Sequence, residues 1–208
     1  MKSANKFILG IKGKMTQVFD EKGVVSPATI ITAGPAMVTQ VKTVEKDGYA
    51  GVQIGFGVRK ETRTNKPLKG HLKDLGNFQH LREYTGQSSV ARGDTIELTS
   101  FVPGDVVTVS AISKGKGFQG VVKRHGFHGG PRSHGQKNKE RSPGSLSGGG
   151  RSGGKVAKNM RMGGRMGGDV ITVKNLRVLQ VDAASNTILI SGAVPGHPGT
   201  LVEIRGAN

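Results

Sequence analysis

The residues Gly115 to Val122 carry the strongest local signal for chemistry in this sequence. They have the sequence GKGFQGVV and match the pattern G-x-G-x-x-G-x-V. Glycines at this spacing let a backbone approach the phosphates of a dinucleotide, or form the loop that a protein kinase closes over ATP. The motif therefore raises a first hypothesis, an enzyme that uses a nucleotide.

The residues after this motif do not support a nucleotide site. A dinucleotide site needs a long helix after the last glycine, whereas Gly126, Gly129 and Pro131 interrupt this segment. The acidic residue expected about twenty positions further on has only Glu140 as a candidate, in a polar stretch. No HRD or DFG element of a kinase follows. The nucleotide-using enzyme built on GKGFQG therefore remains a minor alternative.

Histidines in the same stretch raise a second possibility, a metal site. His125, His128 and His134 have loosely suitable spacing, but the chain has no Cys and Glu140 is the one nearby acid. The surrounding Lys and Arg would also repel a metal cation. No serine–histidine–aspartate or paired-carboxylate pattern can be argued. We therefore expect no metal, no cofactor, no small-molecule substrate and no catalytic residue, and predict that the protein is not an enzyme.

Positive charge and glycine are concentrated in one segment of the chain. The 208 residues include 31 Lys and Arg, 14 Asp and Glu and 34 Gly, with a net charge of +17. The segment Lys114–Gly168, here called the basic arm, holds 13 Lys and Arg, one acid and 17 Gly, a net charge of +12. Such a field attracts polyanions. The basic arm has few large apolar residues, so alone it should be loose or extended, and its order should come from a partner.

Glycine and cations together suit a segment that binds RNA. Glycine lets the backbone approach phosphate and sugar closely, Lys and Arg neutralise phosphates, and aromatic or histidine rings stack on unpaired bases. A disordered, solvated loop is the alternative, but an insertion of this length in a compact domain is uncommon unless it is functional. The predicted RNA-binding residues are Lys114, Lys116, Phe118, Lys123, Arg124, His125, Phe127, His128, Arg132, His134, Lys137, Lys139, Arg141, Arg151, Lys155, Lys158, Arg161 and Arg165.

Outside the basic arm, the sequence predicts many short β-strands. They are rich in Val, Ile and Thr and are separated by turn signals such as Asp20–Gly23, Lys46–Gly48 and Pro103–Asp105. This spacing predicts a mainly β fold, a closed barrel or a sandwich. The predicted strands are Lys6–Ile11, Met15–Phe19, Val24–Thr32, Met37–Val44, Tyr49–Phe56, Thr95–Phe101, Val106–Ile112, Val170–Asp182, Thr187–Gly192 and Leu201–Arg205.

A helical insert and the basic arm interrupt this strand pattern. Within residues 60–93, Leu68, Leu72 and Leu75 have the spacing of a short amphipathic helix, with Pro67 near its start and Gly76 after its end. The basic arm lies between two predicted strands, so it is an insertion anchored at both ends. The sequence therefore predicts a β body of residues 1–113 and 169–208 and an arm of residues 114–168. That arrangement favours burial of the arm inside another macromolecule.

Composition also predicts the compartment. No stretch approaches the roughly 18 apolar residues that a membrane helix needs, and Gly10 and Lys12 interrupt the short apolar run near the amino terminus. The absence of Cys is compatible with a reducing environment. We therefore expect a soluble, cytoplasmic protein without a membrane partner.

Four stretches together resemble the family of large-subunit ribosomal protein three (L3), bacterial type, over nearly the whole chain. The most specific are the opening ILGIKGKMTQVFDEKGVVSPATIITAGPAMVTQVKT and the segment SKGKGFQGVVKRHGFHGGPRSHGQK. NKPLKGHL is similar to the family's Lys-Pro-x-x-Gly-His segment, and SGAVPGHPGTLVEIR to its closing strand pair. One departure occurs at the tip of the arm, where PGSLSGGG lacks the glutamine of the family's Pro-Gly-Ser-Ile-Gly-Gln, a residue methylated in some bacteria.

The resemblance implies a closed barrel of the translation-protein type, with a helical insert, in the cytoplasmic ribosome. It implies a structural protein that binds large-subunit (23S) rRNA near its 3′ end and nucleates early subunit assembly. The arm would extend through the rRNA toward the peptidyl transferase centre, with its tip near Pro143–Lys155. Neighbours would be large-subunit ribosomal proteins fourteen and nineteen. A standalone RNA chaperone is the alternative from the same binding chemistry.

Overall fold

Strands dominate the computed structural model, which describes residues 6–86, 90–146 and 153–206. The mainly β class predicted from the sequence is confirmed. The strands are β1 Phe7–Phe19, β2 Val25–Ala33, β3 Ala36–Lys42, β4 Gly51–Val58, β5 Phe78–Thr85, β6 Thr95–Ile96, β7 Val106–Ile112, β8 Phe118–Gln119, β9 Gly164–Arg165, β10 Val170–Asp182, β11 Thr187–Ser191 and β12 Leu201–Gly206. The helices are α1 Val44–Asp47, α2 Lys66–Leu72 and α3 Val121–His125, with short 3-10 helices at Glu61–Arg63, Lys73–Leu75 and Leu98–Ser100.

The chain divides into two compact units. Met1–Ile112 with Val170–Asn208 forms the first, here called the body unit, and Ser113–Asp169 forms the second, here called the arm unit. The body unit contains β1 to β7 and β10 to β12 together with α1 and α2, whereas the arm unit contains β8, α3 and β9.

Six strands of the body unit form a closed ring in the order β1-β12-β7-β10-β11-β2, and β2 pairs back onto β1. Every pair is antiparallel. Because the ring closes, each of its strands has a hydrogen-bonded neighbour on both sides, which satisfies the backbone groups that an open sheet would leave at its edges. The closed arrangement therefore makes a scaffold without a free edge in these strands.

The interior of the ring is filled by one side of each strand. In β11 the alternation is complete, since Ile188 and Ile190 are buried and the residues between and beside them are not. Alternation of this kind follows from the two-residue period of a strand. The buried cluster consists of Ile8, Ile31, Ala33, Leu98, Phe101, Val107, Val109, Ala111, Val178, Ile188, Ile190, Val194, Val202 and Ile204.

A second sheet, in the order β5-β4-β3-β6, packs against the opposite face of β1. Phe7 and Leu9 join this second cluster, whereas Ile8 between them points into the ring. The Phe7 ring stacks on Tyr84 of β5, with 4.9 Å between the ring centroids. Because β1 is covered on both faces, its first residues are continuously apolar instead of alternating.

Four strand predictions need correction, for three local reasons. The predicted strands at residues 6–11 and 15–19 are one strand, β1, whose pairing with β2 is shifted by an irregularity between Lys12 and Met15. The prediction at residues 95–101 is wrong beyond Ile96, because a 3-10 helix begins at Leu98. The prediction at residues 37–44 is too long, because Val44 begins α1. The remaining strand predictions agree with the structure within two residues at either end.

The insert at residues 60–93 is helical only in its first part. The predicted helix is confirmed as α2, with Pro67 in its first turn and Leu72 buried, and a 3-10 helix continues it to Leu75. The insert also contains β5, which the sequence did not predict. β5 pairs on one side only, with β4, and none of its residues is fully buried. Its side chains are mostly polar, so the apolar alternation that marks a half-buried strand is weak.

We expect Gly10→Ala to destabilise the body unit. A Cβ atom there would lie 2.7 Å from Cγ2 of Ile31 and 2.9 Å from the carbonyl oxygen of Thr32, so the ring would have to deform. Overpacking of this kind costs about 1–3 kcal/mol of unfolding free energy. Gly70→Ala in α2 is the matched control, because its Cβ would meet nothing within 4 Å. It should stabilise the protein by up to about 1 kcal/mol. Denaturant unfolding measures the free energy of unfolding of both variants. Equal changes in this free energy for Gly10→Ala and Gly70→Ala would contradict the packing argument.

Asp105 should make the stability of the body unit depend on pH in acid. The Lys6 ammonium, 2.6 Å from Oδ2, and next the Val102 backbone N–H hold the pKa of Asp105 below its ordinary value. Because this pKa is lower in the folded state, the stabilisation is present above the unfolded pKa of about 4 and is lost as the pH falls through the folded pKa. Asp105→Asn should therefore lower the melting temperature near neutral pH and have little effect in strong acid.

Melting curves of the wild type and of Asp105→Asn across this pH range test the prediction. Glu45→Gln serves as the control, since the Glu45 side chain is exposed and makes no hydrogen bond or ion pair within the described residues. If the melting temperatures of the wild type and of Asp105→Asn differ by the same amount at every pH, the charge of the carboxylate contributes nothing to stability.

Candidate nucleic-acid interface

Two chain segments run side by side at the base of the arm unit. The backbone N–H of Ser113 donates to the carbonyl of Asp169 at 2.8 Å, and that of Lys116 to Met166 at 2.9 Å. Strands β8 and β9 then pair in antiparallel register. Composition predicted a loose or extended arm, so this regular base is a departure from the prediction. It arises because backbone hydrogen bonds between the two segments need no apolar side chains.

Helix α3 is held against the returning segment. It begins after Gly120, carries the buried Val121 and ends at His125, which is followed by Gly126 in the left-handed conformation at φ +72°. The Arg124 guanidinium donates to the carbonyl of Met162 at 2.8 Å, and His125 Nε2 lies 3.0 Å from the same oxygen. A carbonyl only accepts, so this His125 nitrogen carries the proton. With five residues, α3 is much shorter than the helix that follows a dinucleotide-binding glycine motif.

Glycine is required where the arm unit packs backbone on backbone. Gly167 has a φ of +76°, and a Cβ atom there would collide with the carbonyl oxygen of Lys114. Gly129 has a φ of +81°, and a Cβ atom there would collide with the carbonyl oxygen of Glu140. Both positions therefore need a residue without a side chain, and part of the glycine content of the arm serves its own packing as well as any approach to RNA.

Most of the predicted rRNA-binding side chains lie at the surface of the arm unit. Arg124, His125 and Phe127 are half-buried, and Arg151 lies outside the described residues, as does the departure from the family tip at Ser147–Gly148. Arg132 is exposed but is paired with Glu140, with 2.5 Å between Nε and Oε1. The exposed residues are Lys114, Lys116, Phe118, Lys123, His128, Arg132, His134, Lys137, Lys139, Arg141, Lys155, Lys158, Arg161 and Arg165.

The cations of the arm have almost no acidic partners in the protein. In the described part of the chain, no hydrogen bond or ion pair is made by the side chains of Lys114, Lys116, Lys123, Lys137, Lys139, Arg141, Lys155, Lys158, Arg161 and Arg165. Glu140, the one acid of the basic arm, is already paired with Arg132. The positive field is therefore not neutralised from within, and a polyanion such as RNA is the partner that it suits.

A second group of exposed cations lies in the body unit and was missed by the sequence analysis. It consists of Arg59, Lys60, Arg63, Lys66 and Lys73, between β4 and β5. Residues 59–93 hold eight Lys and Arg and three acids, a net charge of +5 that equals the whole excess outside the basic arm. Lys69 of the same region is paired with Glu61 at 2.8 Å. A count of charge by segment would have found this group.

A metal site and a membrane-spanning helix are two further possibilities. Among the described residues, no group of three or more His, Cys, Asp or Glu side chains is placed to hold a metal ion, so His125, His128 and His134 do not form such a cluster there. None of the described helices has the length and hydropathy needed to cross a bilayer.

Comparison with known proteins decides between the remaining interpretations. The ribosomal protein L3 family matches residues 73–187, a range that includes the whole basic arm. The chain belongs to the ribosomal protein L3 family. The resemblance noted in the sequence is thereby confirmed. As a member of a ribosomal protein family, the protein is a structural component of the ribosome and not an enzyme.

Bacterial relatives match over nearly their full lengths, and each is named large ribosomal subunit protein uL3. The protein of Herpetosiphon aurantiacus is 48% identical over 203 residues, which cover 96% of this chain and 95% of the relative. That of Roseiflexus sp. (strain RS-1) is 49% identical over 203 residues, covering 96% of each chain. That of Acidothermus cellulolyticus is 48% identical over 210 residues, covering 97% of this chain and 92% of the relative. The similarity therefore spans the arm and the body together.

Proposed function

We propose that this structural constituent of the large ribosomal subunit binds 23S rRNA through its basic arm. The observation that carries the proposal is the set of exposed cations without acidic partners on an arm with a net charge of +12. The predicted rRNA-binding residues, from Lys114 to Arg165, form the interface. The family name supports a ribosomal partner, and the unneutralised charge supports the RNA part of the ribosome.

The binding mechanism is chiefly electrostatic. Lys and Arg side chains that reach phosphates release condensed counterions, which makes affinity steeply dependent on salt. Arginine also stacks on bases. Phe118 is 79% exposed, and its ring has no aromatic partner within the described residues, so an unpaired base can stack on it. These contacts hold the arm in the rRNA and depend little on the nucleotide sequence.

The body serves as the anchor of the arm. Strands β7 and β10, which lead into and out of the arm, are neighbours in the ring, and Ile112 pairs with Val170. Both ends of the arm therefore leave from adjacent positions on one scaffold. We assign residues 1–113 and 169–208 to the scaffold and residues 114–168 to the RNA-penetrating arm. We further propose that the closed ring is a barrel of the translation-protein type and that the cations of residues 59–73 supply further rRNA contacts.

The resemblance to the family supports a more detailed assignment. The tip of the arm, near Pro143–Lys155, extends toward the peptidyl transferase centre, and the protein nucleates early subunit assembly near the 3′ end of the rRNA. Its neighbours are large-subunit ribosomal proteins fourteen and nineteen. It acts in the ribosome, which lies in the cytoplasm of bacteria. Cosedimentation with the large subunit in a sucrose gradient tests this assignment against a free RNA chaperone, which would remain near the top.

Replacing Lys114, Lys116 and Lys123 together by Gln should weaken binding to 23S rRNA and flatten its salt dependence. These side chains are exposed and unpaired in the described structure, so their loss removes phosphate contacts without removing an internal contact. If each contacts one phosphate, the slope of log affinity against log salt should fall by about two to three. Filter binding of the full-length protein at several salt concentrations measures this slope.

The matched control replaces three cations of the body by Gln, namely Lys14, Lys22 and Lys46. They are also exposed but lie outside the basic arm and the second cation group. The control should leave the slope close to that of the wild type. If the slope falls equally in both triple variants, binding is determined by the net charge of the protein and not by where the cations lie in the chain.

A further inference from the structure

We propose that a cleft in the arm unit holds a single unstacked nucleotide of the RNA partner. This proposal rests on the proposed function and adds to it a defined binding site. The cleft has a volume of about 490 Å³, within the range of small-molecule pockets. Its lining residues include His125, Phe127 and His128, which carry rings, and Gln136, Lys139 and Arg161, which carry polar side chains. This combination fits the flat face, the polar edge and the charged phosphate of a nucleotide.

The rings of the cleft are held in place by the protein itself. His125 is fixed by its hydrogen bond to the carbonyl of Met162. Its ring centroid lies 6.0 Å from that of Phe127, with the planes at 44°. Both rings are half-buried, so one part of each packs on the protein and the other remains accessible. A base that stacks there meets rings that lose little conformational freedom on binding. Stacking of this kind accepts any of the four bases.

The polar side chains of the cleft supply what a base edge and a phosphate need. Lys139 and Arg161 are exposed and have no acidic partner in the described structure, so either can neutralise a phosphate. The side-chain amide of Gln136 offers both a donor and an acceptor to a base edge. It makes no side-chain hydrogen bond within the described residues.

Glycine lets two stretches of backbone pack closely together in the wall of the cleft. The Gly130 N–H donates to the carbonyl of Glu140 at 2.8 Å, and a Cβ atom on Gly130 would lie 3.2 Å from the carbonyl of Lys139. At Gly129 a Cβ atom would collide with the carbonyl oxygen of Glu140. A side chain at Gly129 would therefore prevent the two chain stretches from approaching this closely, and one at Gly130 would be tightly packed. The cleft is a built feature of this segment and follows from its glycines.

The lining chemistry favours a nucleotide over a peptide. None of the described residues that line the cleft is Leu, Ile, Val or Met, so an apolar peptide side chain would find few aliphatic contacts. None of the described residues in the lining is acidic either, so a metal cation would meet the charges of Lys139 and Arg161 without a carboxylate ligand. An acidic peptide would use the cations but not the rings. A nucleotide uses both, and single-stranded RNA is commonly recognised in this way.

Chemical probing of 23S rRNA bound to the full-length protein tests the proposal. Base-specific reagents (dimethyl sulfate and a carbodiimide) report on unpaired bases, and hydroxyl radicals report on the backbone. We expect the wild-type protein to protect at least one unpaired base from the reagents. Phe127→Leu keeps apolar volume but removes the ring, so it should restore the reactivity of that base. His128→Ala, which removes an exposed ring, should weaken the protection without affecting folding. Loss of one base stack should weaken rRNA binding roughly 5- to 150-fold.

The control is Phe19→Ala, which removes an aromatic ring that is 62% exposed at the end of β1 in the body unit. It should leave every base protection as in the wild type. Base reactivities that are the same in the wild type, Phe127→Leu and His128→Ala, with the backbone footprint intact, would overturn the cleft proposal and leave the proposed function standing. Absence of any backbone footprint with the wild type would overturn the proposed function instead. Binding of a glutamate-rich peptide that Phe127→Leu abolishes would assign the cleft to a protein partner and overturn the proposal.

Discussion

Repulsion among unpaired cations is the constraint on which the arrangement of this protein depends. The basic arm carries 13 Lys and Arg and a single acid, and that acid is already paired with Arg132. The few backbone hydrogen bonds and the small helix α3 organise the base of the arm, but they neutralise none of this charge. Only an external polyanion can do so. Membership in a ribosomal protein family identifies the assembly in which such a polyanion is available.

The body supplies what the arm cannot. Its six-stranded ring closes on itself, its interior is apolar, and β1 is covered on its second face by the sheet that contains β3 and β4. None of these contacts requires a residue of the arm. The two strands that connect to the arm are paired with each other, so the scaffold fixes where both segments of the arm begin. The packing that stabilises the body therefore needs no residue of the arm, whereas most of the excess positive charge lies in the arm.

Strands that alternate between a buried and an exposed side were predictable from the sequence, as β7, β11 and β12 show. β5 was missed because it is a polar strand, and the region after Ile96 was assigned to a strand although only a short 3-10 helix follows. For the site, charge and composition were enough to locate the arm, because charge is a property of the sequence alone. The cleft was not predictable. It depends on contacts such as Arg124 with Met162 and Gly129 with Glu140, which join distant positions without any periodic pattern.

Hydrogen exchange of the full-length protein, measured with and without 23S rRNA, tests the central claim most directly. The account predicts that the backbone amides of residues 132–135 and 140–141, which donate no hydrogen bond within the described residues, exchange quickly in the free protein and slow markedly on the rRNA. Those of β7 and β12, which are hydrogen-bonded on both sides within the ring, should be slow in both states. Exchange at these amides that rRNA leaves unchanged would contradict the claim that the unpaired cations of the arm are neutralised by RNA.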